Sequence, residues 1–177
     1  MLKILSKLCS QHSMVSIYTN SDTNRFHFGI IIAVNDREIA IHMISPDGED
    51  DGIIVLDVDN VFRVEEKGEY LKKMQKLCST EVIPTYNLNI IDDDIQKSVI
   101  LYAFNKKGIL SIELLDSGYD DVVGFVESID ESECKIRQID EYGYEDGFSY
   151  VDISKITKVT VMSQSEKRIQ KLWELNQ

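Results

Sequence analysis

Few side chains in this sequence are of the kinds from which active sites are built. There are three histidines, three cysteines and thirty-one carboxylates. A metal site needs ligands at short, regular spacing, such as two histidines one helical turn apart or a Cys-x-x-Cys turn. His12, His27 and His42 have no such spacing, and neither do Cys9, Cys78 and Cys134. His27 and His42 could meet only across neighbouring strands, so the three histidines read as scattered surface residues. Nucleophilic catalysis needs a Ser or Cys beside a base and an oxyanion donor, yet no Gly-x-Ser-x-Gly occurs. Glycine-rich phosphate loops are also absent. In so acidic a chain, no pair of carboxylates stands out as a glycosidase pair. The sequence therefore names no catalytic residue, no metal ligand and no cofactor. An enzyme with an unrecognised site ranks behind two binding readings.

The residues that do stand out lie in two acidic turns. "SPDGEDDG" runs from Ser45 to Gly52 and "DEYGYEDG" from Asp140 to Gly147. Each has two glycines four residues apart, the second preceded by Asp. Glycines so placed supply positive-φ positions in a strand-to-strand reversal. A calcium loop would need the alternating ligands and distal Glu of an EF-hand, which "DGEDDG" lacks. Where the first turn has Asp47 and Glu49 the second has Tyr142 and Tyr144, followed by Phe148 and Tyr150. These rings either cover a sheet edge or a joint, or form a protein-contact patch, since Tyr gives large contact area for little entropy. Tyr142 and Tyr144 are the candidate binding residues.

The same turn is written twice because the chain reads as a duplication. Shifted by 95 residues, Gly29 falls on Gly124, Gly48 on Gly143, Asp51-Gly52 on Asp146-Gly147 and Asp57 on Asp152. "KKMQKL" falls on "KRIQKL" without a gap. A period this long implies two small domains rather than a solenoid. We expect a first repeat at 1–80, a linker at 81–94 and a second repeat at 95–177. Each repeat reads as a short amphipathic helix, five short strands and a closing helix. The second strand carries a mid-strand Gly, which marks a bend or a close backbone approach. The third alternates Ile39, Ile41 and Met43 with Glu38, Ala40 and His42. The last two strands break at a tight turn near Asp57 to Asn60 and Asp152 to Lys155. The closing helices show stripes of Tyr70, Met74, Leu77 and Cys78, and of Ser165, Ile169, Leu172 and Trp173. The fold class is mainly β with flanking helices (α+β).

Helix, then five bent strands with a Gly in the second, resembles the Sm-like (Lsm and Hfq) small β-barrel. "FGIIIAVNDREIAIHMI" would match that family's first signature, and "IVLDVDNVFRV" the second, usually Ile-Arg-Gly-x-x-Ile. The resemblance implies two tandem Sm-like five-stranded barrels. It also implies where RNA would bind: an Asn after the Asp turn and the Arg-Gly pair. Here the Asn position falls near Ala40 and Lys135, and Leu56-Asp57 and Val151-Asp152 replace Arg-Gly. A carboxylate in place of an anion site adds repulsion, so Asp57 and Asp152 are expected to cap the following turn.

Bulk charge agrees. The net charge is −12, and no segment is a basic patch, which disfavours nucleic acid and anionic membranes. The apolar run "IIIAV" is far too short to span a bilayer. An odd, scattered set of thiols fits a reducing compartment. The sequence thus predicts a cytoplasmic, non-catalytic interaction or scaffold module, with an unidentified protein or a second copy as partner. An Sm-like RNA binder is the alternative.

Overall fold

A computed structural model of the protein describes residues 1–19, 25–78, 88–91 and 93–177. Most of the expected linker at 81–94 lies outside the described residues. The fold is mainly β with helices, and the chain divides into two compact units, Met1–Asn87 and Leu88–Gln177. The first unit contains α1 (Leu2–Ser10), β1 (Met14–Thr19), β2 (His27–Val34), β3 (Glu38–Ile44), β4 (Asp50–Asp57), β5 (Val61–Glu65) and α2 (Glu69–Leu77). The second contains α3 (Ile95–Lys106), β6 (Ile109–Leu114), β7 (Val122–Ile129), β8 (Glu133–Ile139), β9 (Glu145–Asp152), β10 (Ile156–Val161) and α4 (Gln164–Leu175). Neighbouring strands are antiparallel, in the order β5-β1-β2-β3-β4 and, in the second unit, β10-β6-β7-β8-β9. No helix among the described residues is long and apolar enough to cross a membrane.

The strands carry apolar residues on both faces. In the first unit Val15, Ile17, Ile31, Ile39, Ile41, Ile54 and Leu56 form one core with Leu5 and Leu8 of α1. On the opposite face Phe28 and Ile44 meet Leu71 and Met74 of α2. Burying each such side chain is worth about 1.5–3 kcal/mol, which holds the short helices in place. The second unit repeats the latter arrangement with Ile109, Phe125 and Ile139 against Ile169 and Trp173.

Backbone detail recurs at a spacing of 95. Asn35 Oδ1 accepts the N–H groups of Arg37 (2.9 Å) and Glu38 (2.6 Å), and Asp130 Oδ1 those of Ser132 (2.9 Å) and Glu133 (3.0 Å). Asp57 caps a short 3₁₀ turn by accepting from the N–H of Asp59, as Asp152 does from Ser154. Gly48 and Gly143 have φ of 83° and 82°, Gly52 and Gly147 of 76° and 80°. The second glycine of each pair sits where β4 or β9 carries one residue more than its partner strand, a bulge that bends the strand. Uncommon left-handed residues coincide as well: His12 with Lys107, and Lys67 with Met162. The mid-strand glycines mark a close approach. A Cβ on Gly29 would lie 1.9 Å from the carbonyl oxygen of His42, and one on Gly124 2.0 Å from that of Arg137.

Two expectations need correction. His42 is 1% exposed, not a surface residue. Its strand is covered on both faces, and the ring is satisfied by Asp50 Oδ1 at 2.9 Å from Nε2. The closing helices dock by part of the expected stripes: Tyr70, Met74 and Cys78, and Ile169 and Trp173, pack on the core, while the other members do not. Leu71 and Met74 are buried while Leu77 is exposed, and Glu166 is buried while Ser165 and Leu172 are exposed. The acidic-turn glycines Gly48 and Gly143 lie against the backbone at Leu77 and at Leu172–Trp173. The end of each closing helix therefore meets main chain at the turn glycine, while Trp173 beside it still packs on Phe125.

Candidate functional site

The strand register assembles a row of side chains on one face of the second unit, running from its α4-covered core to the β9 edge. Phe125 pairs with Arg137 across β7 and β8, and Arg137 with Phe148 across β8 and β9. Directly opposed residues share a face. Two residues along, Lys135 pairs with Tyr150 on that same face. Trp173 of α4 completes the row, its ring 4.8 Å from that of Phe125. The Arg137 guanidinium lies over both rings, 5.3 Å from Phe125 and 5.6 Å from Trp173. Its Nε is 2.8 Å from Glu127 Oε1, near enough for attraction but misaligned for a hydrogen bond. Beside this row is a cavity of about 630 Å³ lined by Phe104, Lys107, Phe125, Glu127, Arg137 and Trp173 among others.

At the free end of the row the surface is aromatic and wet. Phe148 is 49% exposed and Tyr150 70%. Lys135 Nζ sits 4.2 Å above the Phe148 ring and 5.6 Å from that of Tyr150, within cation–π range. The sequence-predicted residues Tyr142 and Tyr144 occupy the adjoining turn and are 65% and 59% exposed. None of the four rings is covered. Their backbone is firmly held: Asp140 Oδ1 accepts from the N–H of Tyr142 (3.0 Å) and Tyr144 (2.7 Å). Asn176 Nδ2 donates to the carbonyls of Tyr142 and Gly143. A hydrogen bond to Glu141, then its negative charge, raises the Tyr142 hydroxyl above the usual tyrosine pKa. At neutral pH that hydroxyl stays protonated and can donate.

The equivalent row of the first unit is chemically different. Ile30, His42 and Ile53 replace Phe125, Arg137 and Phe148, while Ala40 and Val55 replace Lys135 and Tyr150. Ile53 is 0% exposed and Val55 1%. One backbone thus carries a buried row, aliphatic but for His42, in one unit and a cationic, aromatic row exposed at its Phe148 and Tyr150 end in the other. Sequence reasoning singled out the tyrosines of the turn; it placed Lys135 at the Asn position and Trp173 in a helix stripe, and connected neither with Arg137. The signal was present in the 95-residue comparison, at His42 against Arg137 and Cys78 against Trp173.

The remaining candidates for chemistry do not converge. His42 is engaged with Asp50, and its counterpart Arg137 is near Glu145, 3.8 Å away. Cys134 is 1% exposed, and burial pushes its thiol up to about 11, so it is a poor nucleophile. Among the described residues no group of three or more His, Cys, Asp or Glu side chains could hold a metal ion. Compared with family models, curated proteins and solved structures, the chain matches none.

Proposed function

We propose that the protein is a non-catalytic, cytoplasmic interaction module made of two tandem Sm-like small barrels that arose by duplication. In this reading the second barrel binds a protein partner through Tyr142, Tyr144 and the aromatic face beside them. One observation carries the reading. Phe148 and Tyr150 are exposed rings at positions where the first unit buries Ile53 and Val55. Large exposed apolar side chains gathered on one face mark interaction sites. The Sm-like assignment rests on the order of helix and five strands in each unit and on the second-strand glycines Gly29 and Gly124. The RNA alternative loses support at the residues that would carry it. Ala40 is buried and has no polar side chain, and Asp57 and Asp152 are occupied in capping turns.

The test is a Tyr142→Ala/Tyr144→Ala variant. It should melt with the wild type, because both rings are exposed, and should lose the proteins recovered with the wild type by affinity capture. Retention of every partner by a folded variant removes the tyrosines from the site.

A further inference from the structure

Building on the interaction-module reading, we infer that the outer edge of β9 is a docking site for an extended, positively charged peptide segment, which pairs with β9 as an added strand. Among the described residues β9 pairs with β8 alone, at the end of the strand order, so along its other side no described strand pairs with its backbone N–H and C=O groups. Natural sheets blunt such edges with Lys, Pro or a bulge. β9 reads "EDGFSYVD", with no Lys and no Pro. Its bulge lies at the start, between the pairs of Arg137 and Ile139. From Phe148 to Asp152 the pairing is regular. That length is open for strand addition, in which main-chain bonds give affinity and alternate side chains give specificity.

The charge of the occupant follows from what surrounds the edge. Glu133 and Asp152 face each other at one end of the strand pair, with Asp140, Glu141, Glu145 and Asp146 at the other. Between them lie the Phe148 and Tyr150 rings. These already receive one ammonium group, that of Lys135, so their faces accept cations. A strand bearing Lys or Arg at alternate positions would place its cations over the rings and towards the carboxylates. A second copy fits less well, because it brings its own net charge of −12 and long-range repulsion.

The probe is a fluorescently labelled peptide of alternating Lys and Val, titrated into the full chain by anisotropy. A Glu–Val peptide and a Lys–Val peptide N-methylated at alternate amides serve as comparisons. Binding of the Lys–Val peptide should weaken with added salt. It should fall at least tenfold on N-methylation of the peptide, at least tenfold with Phe148→Ala/Tyr150→Ala, and be undetectable for Glu–Val. No binding of the Lys–Val peptide to wild type overturns the inference. So does equal binding of the N-methylated peptide, which would mean charge attraction without strand pairing. A wild-type dimer in sedimentation that the double variant dissociates assigns the edge to a second copy and also overturns it. The N-methyl arm uses the wild-type chain, so it decides even if the variant misfolds. Loss of captured partners by Tyr142→Ala/Tyr144→Ala without Lys–Val binding refutes the strand edge alone. Lys–Val binding with every partner retained by that variant refutes the tyrosine turn alone.

Discussion

Gly124→Ala should be among the most damaging small substitutions in the second unit. The added carbon would lie 2.0 Å from the Arg137 carbonyl oxygen, 2.8 Å from its carbon and 2.9 Å from the Gln138 Cα. All three are main-chain atoms of the neighbouring strand, so no side chain can swing aside. Relief requires β7 and β8 to part by about 1 Å at that point, and overpacking of this kind costs roughly 3 kcal/mol. That is about two decades in the folding equilibrium. Gly147→Ala is the internal control. Nothing lies within 4 Å of its Cβ position and φ is +80°, so only the backbone conformation is penalised, at about 1 kcal/mol. Urea unfolding followed by far-UV circular dichroism and by fluorescence of the lone tryptophan, Trp173, gives both numbers at constant slope. That ring packs at a tilt against Phe125, the residue next to Gly124, so it reports on the perturbed region. A Gly124→Ala cost no larger than that of Gly147→Ala would show that the strands do not approach as described.

Two further outcomes test the turns and caps. Glu166 is buried, and its two oxygens accept from Ser111 Oγ (2.6 Å) and the Ser163 N–H (2.7 Å). Glu166→Ala should cost about 2–4 kcal/mol by leaving both donors unsatisfied, measured by the same urea titration, whereas Glu166→Gln should recover part of the loss. Asp130 accepts backbone N–H bonds from Ser132 and then Glu133, which hold its carboxyl below the usual Asp value. A lowered folded pKa gives a contribution that is full above the unfolded value of about 3.9 and lost as pH falls through the folded one. Asp130→Asn should fold normally, since Asn35 makes the same bonds in the first unit. It should also flatten the acid side of the stability–pH curve, which chemical denaturation across pH 2–6 would reveal (about that range).

The elements were legible because local chemistry determined them. Strand positions followed from alternation and from turn residues that act within three or four positions, such as Asp57 and Asp152 on the next turn. The mid-strand glycines were legible as a bend or a close approach, though not which of the two nor which carbonyl is approached, because that depends on register between strands. His42 was misplaced because alternation assumes one wet face, and β3 has none. Glu166 was missed because a carboxylate reads as solvent-exposed until its partners Ser111 and Ser163 are known, and Ser111 lies 55 residues away. The Phe125–Arg137–Phe148 row could not be seen along the chain, since it runs across three strands. The tyrosine turn could, because its residues are sequential.

The 95-residue correspondence has a consequence for folding. Two stretches that accept the same backbone, down to the same bulges and left-handed residues, compete for the same neighbours while the chain is still collapsing. Misassembly between similar segments is a characteristic failure of repeat proteins. The divergent row counters it. A β9 segment that strayed into the place of β4 would force Phe148 and Tyr150 into the space of Ile53 and Val55, both essentially inaccessible to solvent. Overpacking at two adjacent sites would expel it. The side chains that distinguish the units on the surface therefore also act as an address, directing each strand to its own unit.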